Sequence, residues 1–248
     1  MLEVILGFII PFAGTTLGSF MVFFMKSSIN EKLEKVLIGF AAGVMTAASI
    51  WSLLIPAIES SAGLKVLSWL PAAIGLITGF VLLYFMDKLL QKLNKSNCKT
   101  LTIFAITIHN IPEGMAVGVA LAGAFFGNSL LSLAGALALA IGIAVQNFPE
   151  GAIVSMPLKA SGINKSKAFL YGTLSGIVEP IFACISFFIA GFVSGILPYV
   201  LSFAAGSMIY VVINELIPSS QSENGKFTQT FGFLLGFLIM MILDIALG

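Results

Sequence analysis

The chain is expected to be an all-α integral membrane protein with eight transmembrane helices, and three observations lead there. Of its 248 residues, 58% are hydrophobic and only 9% charged, with a mean hydropathy of +1.08; a soluble domain carries about a quarter charged residues. The apolar residues fall into runs of about 20, the length a helix needs to cross a hydrocarbon core. Such runs are too long and continuous for barrel strands. The loops between them are short, so residues 1–248 are read as a single transmembrane domain with no soluble part.

Taken in order, the first span covers 2–25. It opens Met1-Leu2-Glu3, has no basic leader and is interrupted by Pro11 and Gly14, so a retained helix is expected rather than a signal peptide. The second, 35–58, carries "FAAGVM" (40–45) and ends near Pro56; the third is 66–87. The fourth, 100–124, contains "HNIPEG" (109–114) with the only histidine of the chain. The fifth, 130–157, contains "QNFPEG" (146–151), and the sixth, 168–192, contains "GIVEP". The seventh, 195–217, carries "FAAGSM" (203–208) and ends near Pro218; the eighth is 228–247.

All 12 basic residues are lysine. Lys26, Lys32, Lys35, Lys88, Lys92, Lys95, Lys99, Lys159, Lys165, Lys167 and Lys226 fall on one side of this topology, and only Lys65 on the other. The positive-inside rule places the lysine-rich loops in the cytoplasm and both termini outside the cell. The longest linker, "KLLQKLNKSNCK", reads as solvated chain near anionic lipid. Cys98 in that linker and Cys184 in span 6 make no disulfide framework. A net charge of +1 without a basic aromatic patch gives no sign of a nucleic-acid partner.

The two PEG motifs share Asn, Pro, Glu and Gly in register, yet span 4 runs outward and span 5 inward. The FAAG pair behaves likewise in spans 2 and 7. Similar segments of opposite orientation indicate an inverted repeat, which in membrane transporters places the binding site near the bilayer midplane.

Four glutamates, Glu113, Glu150, Glu179 and Glu215, sit well inside spans, with no lysine at their depth. Each ionisable group in a bilayer costs about 2.5–3.5 kcal/mol on insertion scales, and a bound cation is the simplest missing partner. His109 and Glu113 are four residues apart, on one helix face and roughly 6 Å apart along the axis; Gln146 and Glu150 repeat that spacing. At about 1.5 Å per residue, His109 and Glu150 lie roughly 12–14 Å deep, and Glu113, Gln146 and Glu179 somewhat deeper. One histidine, three glutamates and the amides of Asn110, Gln146 and Asn147 can therefore meet in one layer. Pro112 and Pro149 cannot donate to the carbonyls of Ile108 and Val145. Local unwinding is expected there, turning neighbouring residues toward one cavity. Imidazole, carboxylate and amide oxygen without thiolate suit a borderline divalent metal such as zinc.

The eight spans, with "HNIPEG" in the fourth, "QNFPEG" in the fifth and "GIVEP" in the sixth, resemble the ZIP family of divalent metal transporters. Within it, the chain is similar to the bacterial branch whose fifth-span motif begins with Gln. The resemblance covers the whole chain and implies a single transmembrane transporter domain, extracellular termini and a binuclear site halfway along the path. His109, Glu113, Gln146 and Glu150 match the family's first metal position. Asn110, Asn147 and Glu179 match the second, with Glu113 and Glu150 bridging. Some members carry Asp where Asn147 stands, and the amide here removes one charge. Met45 and Ser52, seven apart on one face of span 2, match positions that the family uses along its outer path.

Glu215, in "NELIP" toward the cytoplasmic end of span 7, is read as an exit-path or auxiliary metal residue. Glu59 and Asp87 lie at span ends, where solvation is the default, and Asp244 and Cys184 are read as structural. The expected activity is uptake of Zn²⁺, or of Cd²⁺, Fe²⁺ or Mn²⁺, across the cell membrane into the cytoplasm, in a bacterial inner membrane. The ion is cargo and the bilayer the other partner; glycine-rich helix faces permit a homodimer. The alternative, an intramembrane metal-dependent hydrolase, wants a His-Glu-x-x-His motif that one histidine cannot supply.

Overall fold

The computed structural model describes residues 1–24, 31–93, 99–126, 132–192, 195–218 and 226–247; among these, the side chains of 90, 91, 93, 99–109, 192, 226 and 247 are not described. The described residues are helical and contain no strand. The helices are α1 (Leu2–Phe20), α2 (Glu31–Ala48), α3 (Ile55–Glu59), α4 (Trp69–Leu93), α5 (Lys99–Phe125), α6 (Leu133–Ala160), α7 (Lys165–Ser175), α8 (Val178–Phe192), α9 (Leu197–Val211) and α10 (Lys226–Leu247). A π-helical stretch, Ser49–Leu54, joins α2 to α3, and a second, Val212–Leu216, continues α9. Among the described residues, seven helices are long and apolar enough to cross a membrane. The chain is a multi-pass membrane protein. The helix α5 covers the predicted fourth span, although its side chains are described only from Asn110 onward.

Side-chain oxygens fix several helix starts. Ser132 Oγ accepts from the Gly135 amide at 2.8 Å at the head of α6, and Asn164 Oδ1 accepts from the Ser166 amide at 2.9 Å at the head of α7. Both satisfy amides that a helix start leaves unpaired. The helix of the second span begins at Glu31, earlier than expected, and Lys35 pairs with Glu31 at 2.6 Å across its first turn.

Three expectations need correction. Helices α5 and α6 run unbroken through Pro112 and Pro149, so the motif prolines do not unwind the backbone. The irregular backbone lies instead in the two π-helical stretches. The sixth span is not one helix: it breaks at Gly176–Ile177, between α7 and α8. Finally, the second span is not a plain α-helix from Met45 to Ser52, because the π-helical stretch Ser49–Leu54 begins between them.

The helices pack as four principal pairs: α1 with α6, α2 with α10, α4 with α9 and α5 with α8. Each pair is closed by small residues four apart. Gly14 and Gly18 of α1 meet the carbonyls of Ala144 and Phe148. Gly39 and Gly43 of α2 meet Gln229 and Phe233, while Gly232 and Gly236 return the contact at Val36 and Phe40. Gly75 and Gly79 of α4 meet α9, and Gly114 and Gly118 of α5 meet the carbonyls of Glu179 and Ala183. Lipid tails are as apolar as leucine, so membrane helices associate by close van der Waals packing, which small residues permit. Large apolar side chains such as Ile9, Phe85, Phe188, Phe231 and Ile242 point outward, as they must toward hydrocarbon. The core between the pairs holds Met45, Leu53, Leu121, Leu139, Ile143, Leu201 and Met208.

Gly43→Val would drive a side chain into the backbone of Phe233 and Phe237. It is expected to cost about 1–3 kcal/mol or more, read as a lower thermal unfolding midpoint in detergent. Gly63→Ala, where nothing lies within 4 Å of the added carbon, is expected to leave that midpoint unchanged.

Candidate metal site

Four helices meet where the two motifs lie. The α5 motif places Asn110 and Glu113 on the side facing α6 and α8, and the α6 motif places Gln146, Asn147 and Glu150 opposite them. Glu179 stands in the first turn of α8, just past the break. Asn110, Glu113, Gln146, Asn147 and Glu179 are each no more than 1% exposed, and Glu150 is half-buried.

Hydrogen bonds tie them into two adjoining groups. The Gln146 amide Nε2 donates to Glu113 Oε1, to Asn147 Oδ1 at 2.9 Å and to Glu150 Oε1 at 3.1 Å. Asn110 Nδ2 donates to Glu179 Oε1 and to the Ser175 carbonyl, both at 3.2 Å. Asn147 Nδ2 donates to the Pro11 carbonyl of α1 at 3.5 Å, and Glu150 and Glu179 both lie near enough to Glu113 for their charges to act on it. The structure thus brings together all the candidate residues whose side chains it describes in this layer. His109 lies on α5 one residue before Asn110; its side chain is outside the described residues.

The hydrogen bonds leave a specific remainder. Asn110 Oδ1, Glu113 Oε2, Gln146 Oε1 and Glu179 Oε2 are buried and have no hydrogen-bond partner. Buried acceptors are almost always satisfied in folded proteins, and an unsatisfied one costs about 1–3 kcal/mol. All four atoms are oxygens, two from carboxylates and two from amides. That is a donor set suited to a divalent cation. Among the described residues, no three His, Cys, Asp or Glu side chains form a ligand cluster by themselves.

The remaining candidates lie elsewhere. Met45 is fully buried in the apolar core. Ser52 donates to Asp244 Oδ1 at 2.5 Å. Ser52 and Asp244 line a cavity of about 200 Å³ that also reaches Glu59, Ala120 and Ser132. Asp244, read from the sequence as structural, therefore faces the same cavity as Ser52. Glu215 is half-buried in the second π stretch, close to Tyr210. Tyr210 in turn donates to Asp87 at 2.8 Å.

Sequence reasoning missed one residue altogether. Thr15 Oγ1 of α1 donates to Glu179 Oε1 at 2.8 Å, from a position 1% exposed. In the sequence it stands inside "GTTLG", where it reads as part of a packing stripe.

Comparison with known proteins gives a consistent result. The sequence profile of the ZIP zinc transporters matches residues 93–244. Zinc transporter ZIP11 of Homo sapiens is 33% identical, with 99% of this chain and 97% of that protein aligned. Zinc transporter ZIPB of Bordetella bronchiseptica is 33% identical over 98% of this chain and 81% of its own length. Zinc transporter GufA of Myxococcus xanthus is 31% identical over 94% of each.

Asn110→Ala would leave the Ser175 carbonyl without its side-chain donor and remove one of two donors to Glu179. The expected cost is about 1–3 kcal/mol, measured as a lower unfolding midpoint in zinc-free buffer.

Proposed function

The chain belongs to the ZIP family of zinc transporters, a family of transporters rather than enzymes, and we propose that this metal-ion transporter carries Zn²⁺ into the cytoplasm through a site near the bilayer midplane. The observation that carries the site assignment is the set of four buried, unpartnered oxygens on Asn110, Glu113, Gln146 and Glu179. His109, Asn147 and Glu150 complete the ligand set. Glu113, Glu150 and Glu179 supply three negative charges, enough for one divalent ion and for a second that shares Glu113 and Glu150. On this reading His109, Glu113, Gln146 and Glu150 hold one position, and Asn110, Asn147 and Glu179 hold the other. Cd²⁺, Fe²⁺ and Mn²⁺ accept the same donors and are proposed as competing cargo. The hydrolase alternative has no support.

The proposed architecture has eight crossings in one transporter domain spanning 1–248, with both termini outside the cell and a location in the cell membrane, in a bacterial inner membrane. Two features support an inverted repeat. Exchanging the first span with the sixth, the second with the seventh, the third with the eighth and the fourth with the fifth turns the α1–α6 pair into α5–α8. The same exchange turns α2–α10 into α4–α9. In addition, Phe40 and Ser49, and likewise Phe203 and Val212, are separated by the same number of residues, so each π stretch starts at the same distance past its FAAG motif. Eleven lysines on one side support the orientation.

The cavity bearing Ser52, Glu59 and Asp244 opens at the end of the second span that this orientation places outside. It is proposed as the approach to the site, with Met45 beneath it; Glu215 would serve the exit. Glycine-rich faces leave a homodimer open as the assembled form.

Glu150→Ala and His109→Ala are each expected to abolish or strongly reduce ⁶⁵Zn uptake into liposomes while the protein still folds. Normal uptake by both folded variants would end the assignment. Asp244→Asn is expected to raise the half-saturating zinc concentration several-fold with little loss of maximal rate, since it lies on the approach and not at the site; an unchanged concentration dependence would remove Asp244 from the path.

A further inference from the structure

Hydroxyls within these helices mostly bond back to the carbonyl one turn earlier. Thr46 donates to Ala42, Ser49 to Met45, Ser61 to Ala57, Thr78 to Ile74 and Ser202 to Pro198. That local bond is the usual resting place for Ser and Thr in a helix. Thr15 departs from it. Its earlier carbonyl, that of Pro11, is approached by Asn147 Nδ2 at 3.5 Å, and its own hydroxyl crosses to Glu179 Oε1 at 2.8 Å.

Its position is tightly fixed. The Thr15 carbonyl lies against Gly151 of α6, and its Cβ and Cγ2 lie against Gly176 in the break between α7 and α8. Two glycines from different elements thus leave the Thr15 backbone and methyl little room. Asn110 donates to the same Oε1 at 3.2 Å. The two donors hold one oxygen of Glu179 and leave Oε2 unpartnered in the buried network.

We propose that Thr15 is a positioning residue of the transport site: its hydroxyl pins one carboxylate oxygen of Glu179 so that the other is presented to the passing divalent ion. This rests on the assignment of Glu179 to the metal path made above. It adds α1, which contributes no ligand of its own, as the helix that sets the orientation of Glu179. Partners that orient a ligand typically contribute 10- to 100-fold in metal affinity.

The test uses the full-length protein in liposomes, with ⁶⁵Zn uptake measured against external zinc, and thermal unfolding in detergent with and without zinc. Thr15→Val keeps the shape and removes the hydroxyl; Thr15→Ser keeps the hydroxyl and removes the methyl. Thr15→Val is expected to raise the half-saturating zinc concentration about tenfold and to shrink the zinc-induced rise in unfolding midpoint, starting from a zinc-free midpoint lowered by the loss of one donor to Glu179. Thr15→Ser is expected to restore both. A Val variant that takes up zinc like the parent, or a Ser variant that fails to restore it, overturns the proposal. Should the Val variant not fold, Thr15→Ala removes the same hydroxyl and is read by the same two outcomes. Glu113→Ala runs alongside. If it also leaves zinc uptake and zinc stabilisation unchanged, the metal-site assignment itself falls; if it abolishes them while Thr15→Val does nothing, only the role of Thr15 falls.

Discussion

The constraint from which the rest of this structure follows is the cost of holding carboxylates in hydrocarbon. Glu113 and Glu179 are almost completely enclosed, and Glu150 joins them at the edge of the same site. Each such group must be met by hydrogen-bond donors or by positive charge. No lysine is placed at their depth, and the donors present go only halfway. Gln146 bonds one oxygen of Glu113, and Thr15 with Asn110 bonds one oxygen of Glu179. A site that answered every acceptor internally would have no use for an ion. One that answered none would scarcely fold. Half-satisfaction positions the carboxylates and still leaves oxygens able to coordinate.

Holding such a network demands stiff helix contacts, and the glycine pairs provide them. Where Gly14, Gly18 and Gly151 allow α1 and α6 to touch through their backbones, the distance between the helices does not depend on side-chain rotamers. The same holds for α5 and α8 at Gly114 and Gly118. The acids are thus mounted on pairs whose separation is set by main-chain atoms. Irregular backbone lies in the π stretches of the second and seventh spans, whose residues make none of the hydrogen bonds that join the motif residues, and at the Gly176–Ile177 break just ahead of Glu179.

The sequence made the gross architecture legible, because a transmembrane helix is a long apolar run and the chain consists of little else. The motif residues were legible as well: helix packing alone gives no reason to repeat His or Gln, Asn and Glu in register inside such runs. What escaped reading shares one property, that it depends on partners distant in the chain. Thr15 looks like packing until Glu179 is seen beside it. Asp244 looks like a stray acid near the end of the last span until Ser52 meets it across 192 residues of sequence. The break at Gly176–Ile177 is the exception, since Gly176 at the end of α7 and Pro180 in the first turn of α8 mark it locally. The prolines misled in the opposite direction. Pro112 and Pro149 each remove one backbone donor, but neighbouring helices pack α5 and α6 so closely that both remain continuous.

Gly114 follows Glu113 directly, and its α-carbon rests on the backbone of Glu179 itself. The gauge between these two acids is therefore a contact between main chains, the least compressible spacing a protein can build. A side chain added at position 114 would therefore part the two helices at the turn that carries both acids.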